Sequence, residues 1–233
     1  MQPTADVTEI FSSIQGEGIF LGARQIFVRF KGCNMACAFC DEPRNLSPKR
    51  YSSSELIDEI KRLEKEKSPH HSISLTGGEP LLHAKFLSKF LKLLKGEGFK
   101  SYLETNGTLP EELAKVIDAI DIIAMDFKLP SATKERGYWR EHEQFLKLAL
   151  SKKAFVKSVV TNETEEADIV KAAEIIRRVD AKVPFILQPA SPVRPFEKRV
   201  DNAGLLRFLE VASRSRLENT RVIPQIHKLL NMR

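Results

Sequence analysis

Gln25-Ile26-Phe27-Val28-Arg29-Phe30, followed by Lys31-Gly32-Cys33-Asn34-Met35-Ala36-Cys37-Ala38-Phe39-Cys40, is the stretch from which the fold is read. A short β-branched and aromatic run opens straight into a loop holding all three cysteines of the 233-residue chain. Three thiolates on one loop can converge on one face of a shared inorganic centre. Disulfides fit poorly, because the count is odd and the loop is short. Structural zinc normally takes four ligands, and no histidine is nearer than His70. An iron–sulfur cluster held by three cysteines would leave one iron open to a non-protein ligand. On spacing alone, an incomplete zinc site and three inert buried thiols stay open as alternatives.

Outward from this loop, short β-branched runs alternate with amphipathic ones. Strands are expected at Gln25–Phe30, Ser72–Thr76, Lys100–Thr105, Ile122–Phe127, Ala154–Val160 and Val183–Gln188. Helices are expected over Ser53–Lys67, with Ser52 and Glu55 as a capping box, and through Phe86–Leu94 and Glu111–Ile120. Others surround Phe145, Ile175 and Leu205–Ala212, before a short tail, Arg221–Arg233. Six strand–helix units in alternation imply an α/β fold with a parallel sheet. Six rather than eight suggests an incomplete (βα)6-type partial TIM barrel, one domain over residues 1–233, open at one side. Cys33–Cys40, Gly77-Gly78-Glu79, Glu104-Thr105-Asn106, Asp126-Phe127-Lys128, Thr161-Asn162 and Gln188-Pro189 all follow C-terminal strand ends. That rim is where parallel βα architectures collect ligands.

With 42% apolar residues the chain can bury a full core, and no apolar stretch approaches the roughly 20 residues of a membrane span. The polar, acidic start, Met1–Glu9, reads against a signal or transit peptide. Unpaired thiols suit a reducing cytoplasm. A net charge of +6 with only 8% aromatic residues, and no basic run interleaved with aromatics, reads as solvated lysine-rich helix faces. Neither nucleic acid nor membrane is an expected partner. In Thr76-Gly77-Gly78-Glu79-Pro80, two glycines let backbone approach a ligand closely. Glu79 can orient that turn or bind the ligand, and Pro80 would start the next helix.

The three-cysteine spacing followed by a Gly-Gly-Glu-Pro strand exit resembles the radical S-adenosylmethionine (SAM) superfamily. The resemblance implies that Cys33, Cys37 and Cys40 hold a [4Fe–4S] cluster whose open iron binds SAM, and that one electron releases a 5′-deoxyadenosyl radical. It further implies that Phe39 and Asp41 flank the adenine and cluster, while Gly77, Gly78 and Glu79 meet the methionyl end. Glu104 and Asn106 are expected at the ribose and methionyl groups. Asp126, Phe127 and Lys128 are expected at the ribose hydroxyls or SAM carboxylate; a surface ion pair is the alternative for Asp126 and Lys128.

A narrower resemblance covers nearly the whole chain. Glu9-Ile10-Phe11-Ser12-Ser13-Ile14-Gln15-Gly16-Glu17-Gly18, Phe27-Val28-Arg29, Glu104-Thr105-Asn106-Gly107-Thr108 and Val222-Ile223-Pro224-Gln225-Ile226-His227-Lys228 are similar to the 7-carboxy-7-deazaguanine synthase family. That family contracts the ring of 6-carboxy-5,6,7,8-tetrahydropterin with loss of ammonia, in 7-deazapurine (queuosine-type) biosynthesis. A pterin's guanidine-like edge needs acceptors, which Glu17, Gln15 and the carbonyls of Ile14 and Gly16 offer. Its carboxylate needs a cation, and Arg29 offers a two-pronged donor. Thr76, Gln188 and His227 would complete the pocket, with the terminal carboxylate of Arg233 if the tail folds inward. Where the family shows Asp-Thr after the third cysteine, serving Mg²⁺, this chain has Asp41-Glu42. Glu42 is a hard oxygen ligand suited to Mg²⁺, or it points to solvent or leaves that metal unnecessary. The resemblance also implies a homodimer and an electron donor such as flavodoxin or ferredoxin. A radical SAM activase that makes a glycyl radical on a partner protein, and a non-catalytic zinc-binding domain, are the rival functions.

Overall fold

The computed structural model describes residues 3–43, 45–192 and 200–232. Among these residues nine strands form one sheet: β1 (Thr4–Ile14), β2 (Arg24–Phe30), β3 (Lys49–Ser52), β4 (Ser72–Gly77), β5 (Ser101–Thr105), β6 (Ile122–Asp126), β7 (Lys153–Val160), β8 (Phe185–Pro189) and β9 (Thr220–Val222). Their order is β3-β1-β2-β4-β5-β6-β7-β8-β9. From β2 through β9 every neighbour is parallel, and β1 and β3 add an antiparallel edge. The six expected strands are therefore the centre of a partial barrel that does not close.

Three strands escaped the sequence reading. A register shift between Val7 and Glu9 interrupts the pairing of β1 with β2, which breaks its period of two. β3 and β9 are too short to carry a pattern. The helices are α1 (Ser53–Lys67), α2 (Ala84–Gly96), α3 (Pro110–Ala114), α4 (Pro130–Thr133), α5 (Trp139–Ala149), α6 (Glu166–Val179), α7 (Asn202–Arg214) and α8 (Ile226–Leu229). The capping box forms as read, the Glu55 carboxylate accepting from the Ser52 amide at 2.8 Å. Pro80 opens a 3-10 turn, Pro80–His83, rather than α2 itself, and the expected third helix stops at Ala114.

The period of two sorts each strand into an outer and an inner face. Outer residues such as Ile73, Leu75, Leu103, Ile123, Val156 and Leu187 join the main core with α1, α2, α5, α6 and α7. Inner residues are apolar at the barrel base, where Tyr102, Ile122, Ala124, Phe155 and Ile186 pack with Ile19 and Phe20. One or two pleats further along the same inner faces stand Glu104, Asp126, Lys157 and Gln188, all buried or half-buried. The barrel is thus plugged below and polar above. Among the described residues, no helix is long and apolar enough to cross a membrane.

Candidate active site

Two adjoining cavities open at the polar rim. The larger, about 410 Å³, is lined by Cys33, Cys37 and Cys40 with Gly77, Gly78, Asn106, Asp126, Lys128 and Gln188. The smaller, about 350 Å³, is lined by Ile14, Gln15, Gly16, Arg29, His227 and Lys228. Glu17, Asp41, Glu42, Thr76, Glu104 and Gln225 border both. Most residues expected around a nucleotide cofactor line the larger chamber, and Ile14, Gln15, Gly16, Arg29 and His227 line the smaller; Gln188, expected in the pterin pocket, lies in the larger one instead, because the alternation of β8 points it to the barrel interior there.

The cysteine loop is held from both sides. Ala38 N donates to Thr133 O at 3.0 Å and Ala36 N to the Glu135 carboxylate at 2.8 Å. Asn106 Nδ2 donates to Asn34 Oδ1 at 2.8 Å and lies 3.9 Å from Cys33 Sγ. Burial pushes the Cys37 thiol up to about 11, opposed by the charge of Lys128, so its thiolate needs a metal to displace the proton. The donor set fits a three-cysteine cluster with one open corner. The three thiols line one cavity, although among the described residues no group of three His, Cys, Asp or Glu side chains, these cysteines included, stands at metal-binding separation, so the loop would have to draw them together around a cluster. In the same cavity Asp126 Oδ1 and Gln188 Oε1 are buried acceptors with no partner, as a bound ligand's donors would require.

The two glycines of the β4 exit serve backbone packing as well as the cavity. Gly78 N donates to Phe30 O at 3.1 Å and Glu79 N to Gly32 O at 2.8 Å, which straps this turn to the root of the cysteine loop. A Cβ on Gly78 would stand 1.9 Å from Gly32 O, so only glycine fits. Glu79, expected at the methionyl end, turns inward instead. Its carboxylate accepts from Leu81 N at 3.0 Å, Thr105 Oγ1 at 2.8 Å and Asn106 N at 2.7 Å, and it is fully buried outside both cavities. Burial raises its pKa to about 7 against those three bonds. Phe127 likewise lines neither cavity. It lies just past the end of β6 on the outer side, fully buried, its ring 4.2 Å from the His142 ring. The alternation that sends Asp126 into the cavity sends Phe127 away from it.

Asp126 and Lys128 form a buried web, not a surface pair. Lys128 Nζ and Lys157 Nζ donate to Asp126 Oδ2 at 2.8 and 3.0 Å, and Lys128 lies over the Phe39 ring at 5.3 Å. Lys157 also reaches Glu17 Oε2 at 2.8 Å, while Gln225 Nε2 donates to Glu17 Oε1 at 2.7 Å. Burial pushes the Glu17 carboxyl up, but Lys157 and Gln225 outweigh it and hold the group at about 2. Glu17 is accordingly an anion at neutral pH.

In the smaller cavity Arg29 projects from β2. Its Nε pairs with Glu9 Oε2 at 2.9 Å, its Nη1 pairs with Glu42, and its guanidinium lies 5.8 Å from the Phe11 ring. Glu42, expected to face Mg²⁺, therefore faces Arg29: the nearest cation claims it. Gln15 is committed within the protein, its amide donating to Gln25 and Glu104 and its oxygen accepting from Glu17 N at 3.0 Å. Glu104 accepts from Gln15, Ser74 and Thr76. It thus belongs as much to the smaller cavity as to the expected ribose contact. Ile226 N donates to Gly16 O at 2.9 Å and docks the C-terminal segment, and a Cβ on Gly16 would stand 1.9 Å from His227 Nδ1. Arg233 lies outside the described residues. Lys157 and Gln225 went unread as site residues. A lone lysine inside the apolar run Ala154–Val160 was the available signal for the first; for the second it was its place in the family-like segment Val222–Lys228.

The family model of the radical SAM superfamily matches residues 27–183. A 7-carboxy-7-deazaguanine synthase of Geobacter sulfurreducens is 38% identical over 98% of both chains. One from Methanothermobacter thermautotrophicus is 34% identical, again over 98% of both. Among solved structures, the crystal structure of QueE from Escherichia coli superposes with a TM-score of 0.66 at 23% identity, covering 95% of this chain and 94% of that one, a likeness of fold.

Proposed function

This chain belongs to the radical SAM superfamily and, within it, to the 7-carboxy-7-deazaguanine synthase family, and from that footing we propose how its own residues serve the reaction. The chain is a radical SAM lyase that contracts 6-carboxy-5,6,7,8-tetrahydropterin to 7-carboxy-7-deazaguanine with loss of ammonia, in queuosine-type biosynthesis. Cys33, Cys37 and Cys40 hold the [4Fe–4S] cluster, and SAM occupies the rest of the larger cavity. When bound, that pair supplies the radical that takes hydrogen from C6 of the pterin.

The protein's share is placement, charge and exclusion of water. Gly77 and Gly78 present backbone at the cluster's edge. Asp126 and Gln188 use their unpartnered oxygens for the hydroxyls and ammonium of SAM, and Lys128 and Phe39 close the wall beside it. Asn106 turns from Asn34 toward the nucleotide. In the smaller cavity Arg29 binds the pterin carboxylate once Glu42 yields it. Ionised Glu17 accepts from the guanidine-like edge, aided by the Ile14 and Gly16 carbonyls, while Glu104 orients Thr76 toward the same ring. His227, packed on Gly16, closes the far side. Gln15, Glu79 and Phe127 act through these groups rather than on a ligand. With Glu42 paired to Arg29, a magnesium requirement would rest on the substrate itself and on Asp41, whose Oδ2 is held more loosely, by Lys228 and Gln225 at 3.4 Å each. The continuous sheet supports one domain over 1–233, and the chain works in the cytoplasm as a homodimer with a flavodoxin or ferredoxin as reductant.

The observation that carries the reading is the pair of joined chambers, thiols on one wall and Arg29 with Glu17 on the other. Anaerobic reconstitution, then SAM, reductant and the carboxylated tetrahydropterin, with product mass as readout, tests it. Formation of 7-carboxy-7-deazaguanine by the wild type and none by Cys37→Ala is expected. A reconstituted protein that leaves the pterin intact refutes it.

A further inference from the structure

Lys157 occupies the middle of an apolar strand, and no motif accounts for it. Its side chain is 10% exposed and its ammonium bonds two carboxylates on different walls, Glu17 at 2.8 Å and Asp126 at 3.0 Å. Glu17 borders both cavities and Asp126 only the larger. Lysine at such depth is retained only where its charge is matched. Glu17, Asp126 and the nearby Glu104 supply that match, against Lys128 as the one like charge on Asp126. The backbone is tied too, Phe127 N donating to Lys157 O at 2.7 Å, so the ammonium is fixed relative to the end of β6. The Gln15–Phe20 segment links β1 to β2, and the β6 exit lies beyond β4 and β5 in the sheet; Lys157 is the side chain that bonds one to the other.

Resting on the synthase reading, we propose that Lys157 is a positioning residue for the two reactants: by gripping Glu17 and Asp126 it sets the separation of pterin and sulfonium nucleotide across the junction of the cavities. Without it, among the described residues the Glu17 carboxylate keeps Gln225 alone and Asp126 keeps Lys128 alone, so each wall can shift independently. A misplacement of about 1 Å between reacting atoms is enough to lower turnover about 100-fold. It also lets the nucleotide be cleaved with no substrate hydrogen in reach: one electron from dithionite breaks the carbon–sulfur bond and releases methionine, and a second electron with a proton from water quenches the radical, which appears as released 5′-deoxyadenosine.

The test uses the reconstituted full chain with SAM, dithionite and carboxylated tetrahydropterin. Product and 5′-deoxyadenosine are counted together, and Tm is measured on the same samples. Lys157→Met is expected to lower kcat/KM for the pterin about 100-fold and to raise deoxyadenosine per product about tenfold or more. Lys157→Gln, which keeps a donor at the same depth, carries the same expectation should the methionine variant not fold. Lys157→Arg is expected to restore most of the coupling. Deoxyadenosine and product falling in parallel with Tm would mean a structural role and overturns the proposal, as does a variant with wild-type kcat/KM and coupling. A wild-type chain that forms neither compound overturns the synthase reading itself, and the proposal with it.

Discussion

Replacing Arg29 with alanine removes the one guanidinium that the described residues place in the smaller cavity and isolates the carboxylate contact from everything else the pocket does. Arg29 is 18% exposed at its side chain and shared between Glu9 and Glu42. A substrate carboxylate would take two charge-assisted hydrogen bonds, each about 2 kcal/mol. It must displace Glu42, a partly exposed pair contributing about 1 kcal/mol. The net is about 3 kcal/mol, or a Kd raised on the order of 100-fold in Arg29→Ala. Anaerobic titration calorimetry with SAM present measures it, with iron content as the check that the cluster survives. The decisive comparison is a tetrahydropterin lacking the carboxylate. The wild type should lose on that analogue about what Arg29→Ala loses on the true substrate, and the variant should bind both alike. A variant that still prefers the carboxylated pterin by the wild-type factor refutes the assignment.

Glu42→Ala frees Nη1 of Arg29, so pterin affinity should rise by up to about fivefold; a fall, restored by added Mg²⁺, would return Glu42 to the metal. Gly78→Ala drives a methyl against Gly32 O, where 1.9 Å is available, and should cut iron incorporation at the cysteine loop; full cluster loading measured by iron analysis would contradict the packing argument. His142 is fully buried between Phe127 and Asn106 O, and burial lowers its pKa to about 4. Its folded pKa is depressed, so the unfolded chain binds the extra proton first. Stability should therefore fall as pH drops from about 6.5 toward 4, by up to about 3 kcal/mol. Denaturant unfolding at pH 7.5 and 5 should show a smaller drop for His142→Gln.

Much of this architecture is written in the alternation of the chain. Ile73–Leu75, Ile123–Met125 and Val156–Val160 announce buried parallel strands, and the polar residues after them announce the rim. Position along a strand exit does not say which way a side chain turns, which is why Glu79 and Phe127 read as ligand contacts and fold as packing. The answer lies in parity: Asp126 is inner and Phe127 outer. β1 was hidden by its bulge near Thr8 and by half-burial on both faces. Gln225 reaches Glu17 across 208 positions of sequence, a contact that only the folded C-terminal segment creates.

The claim beneath all of this is that the thiols of residues 33, 37 and 40 hold a tetranuclear cluster with one corner reserved for SAM. Electron-nuclear double resonance on the reduced, anaerobically assembled protein, with SAM labelled at its amino nitrogen, reads that corner directly. Coupling between label and cluster is expected, with about four irons per chain. A reduced cluster blind to the label, or a chain that assembles none, would contradict the account.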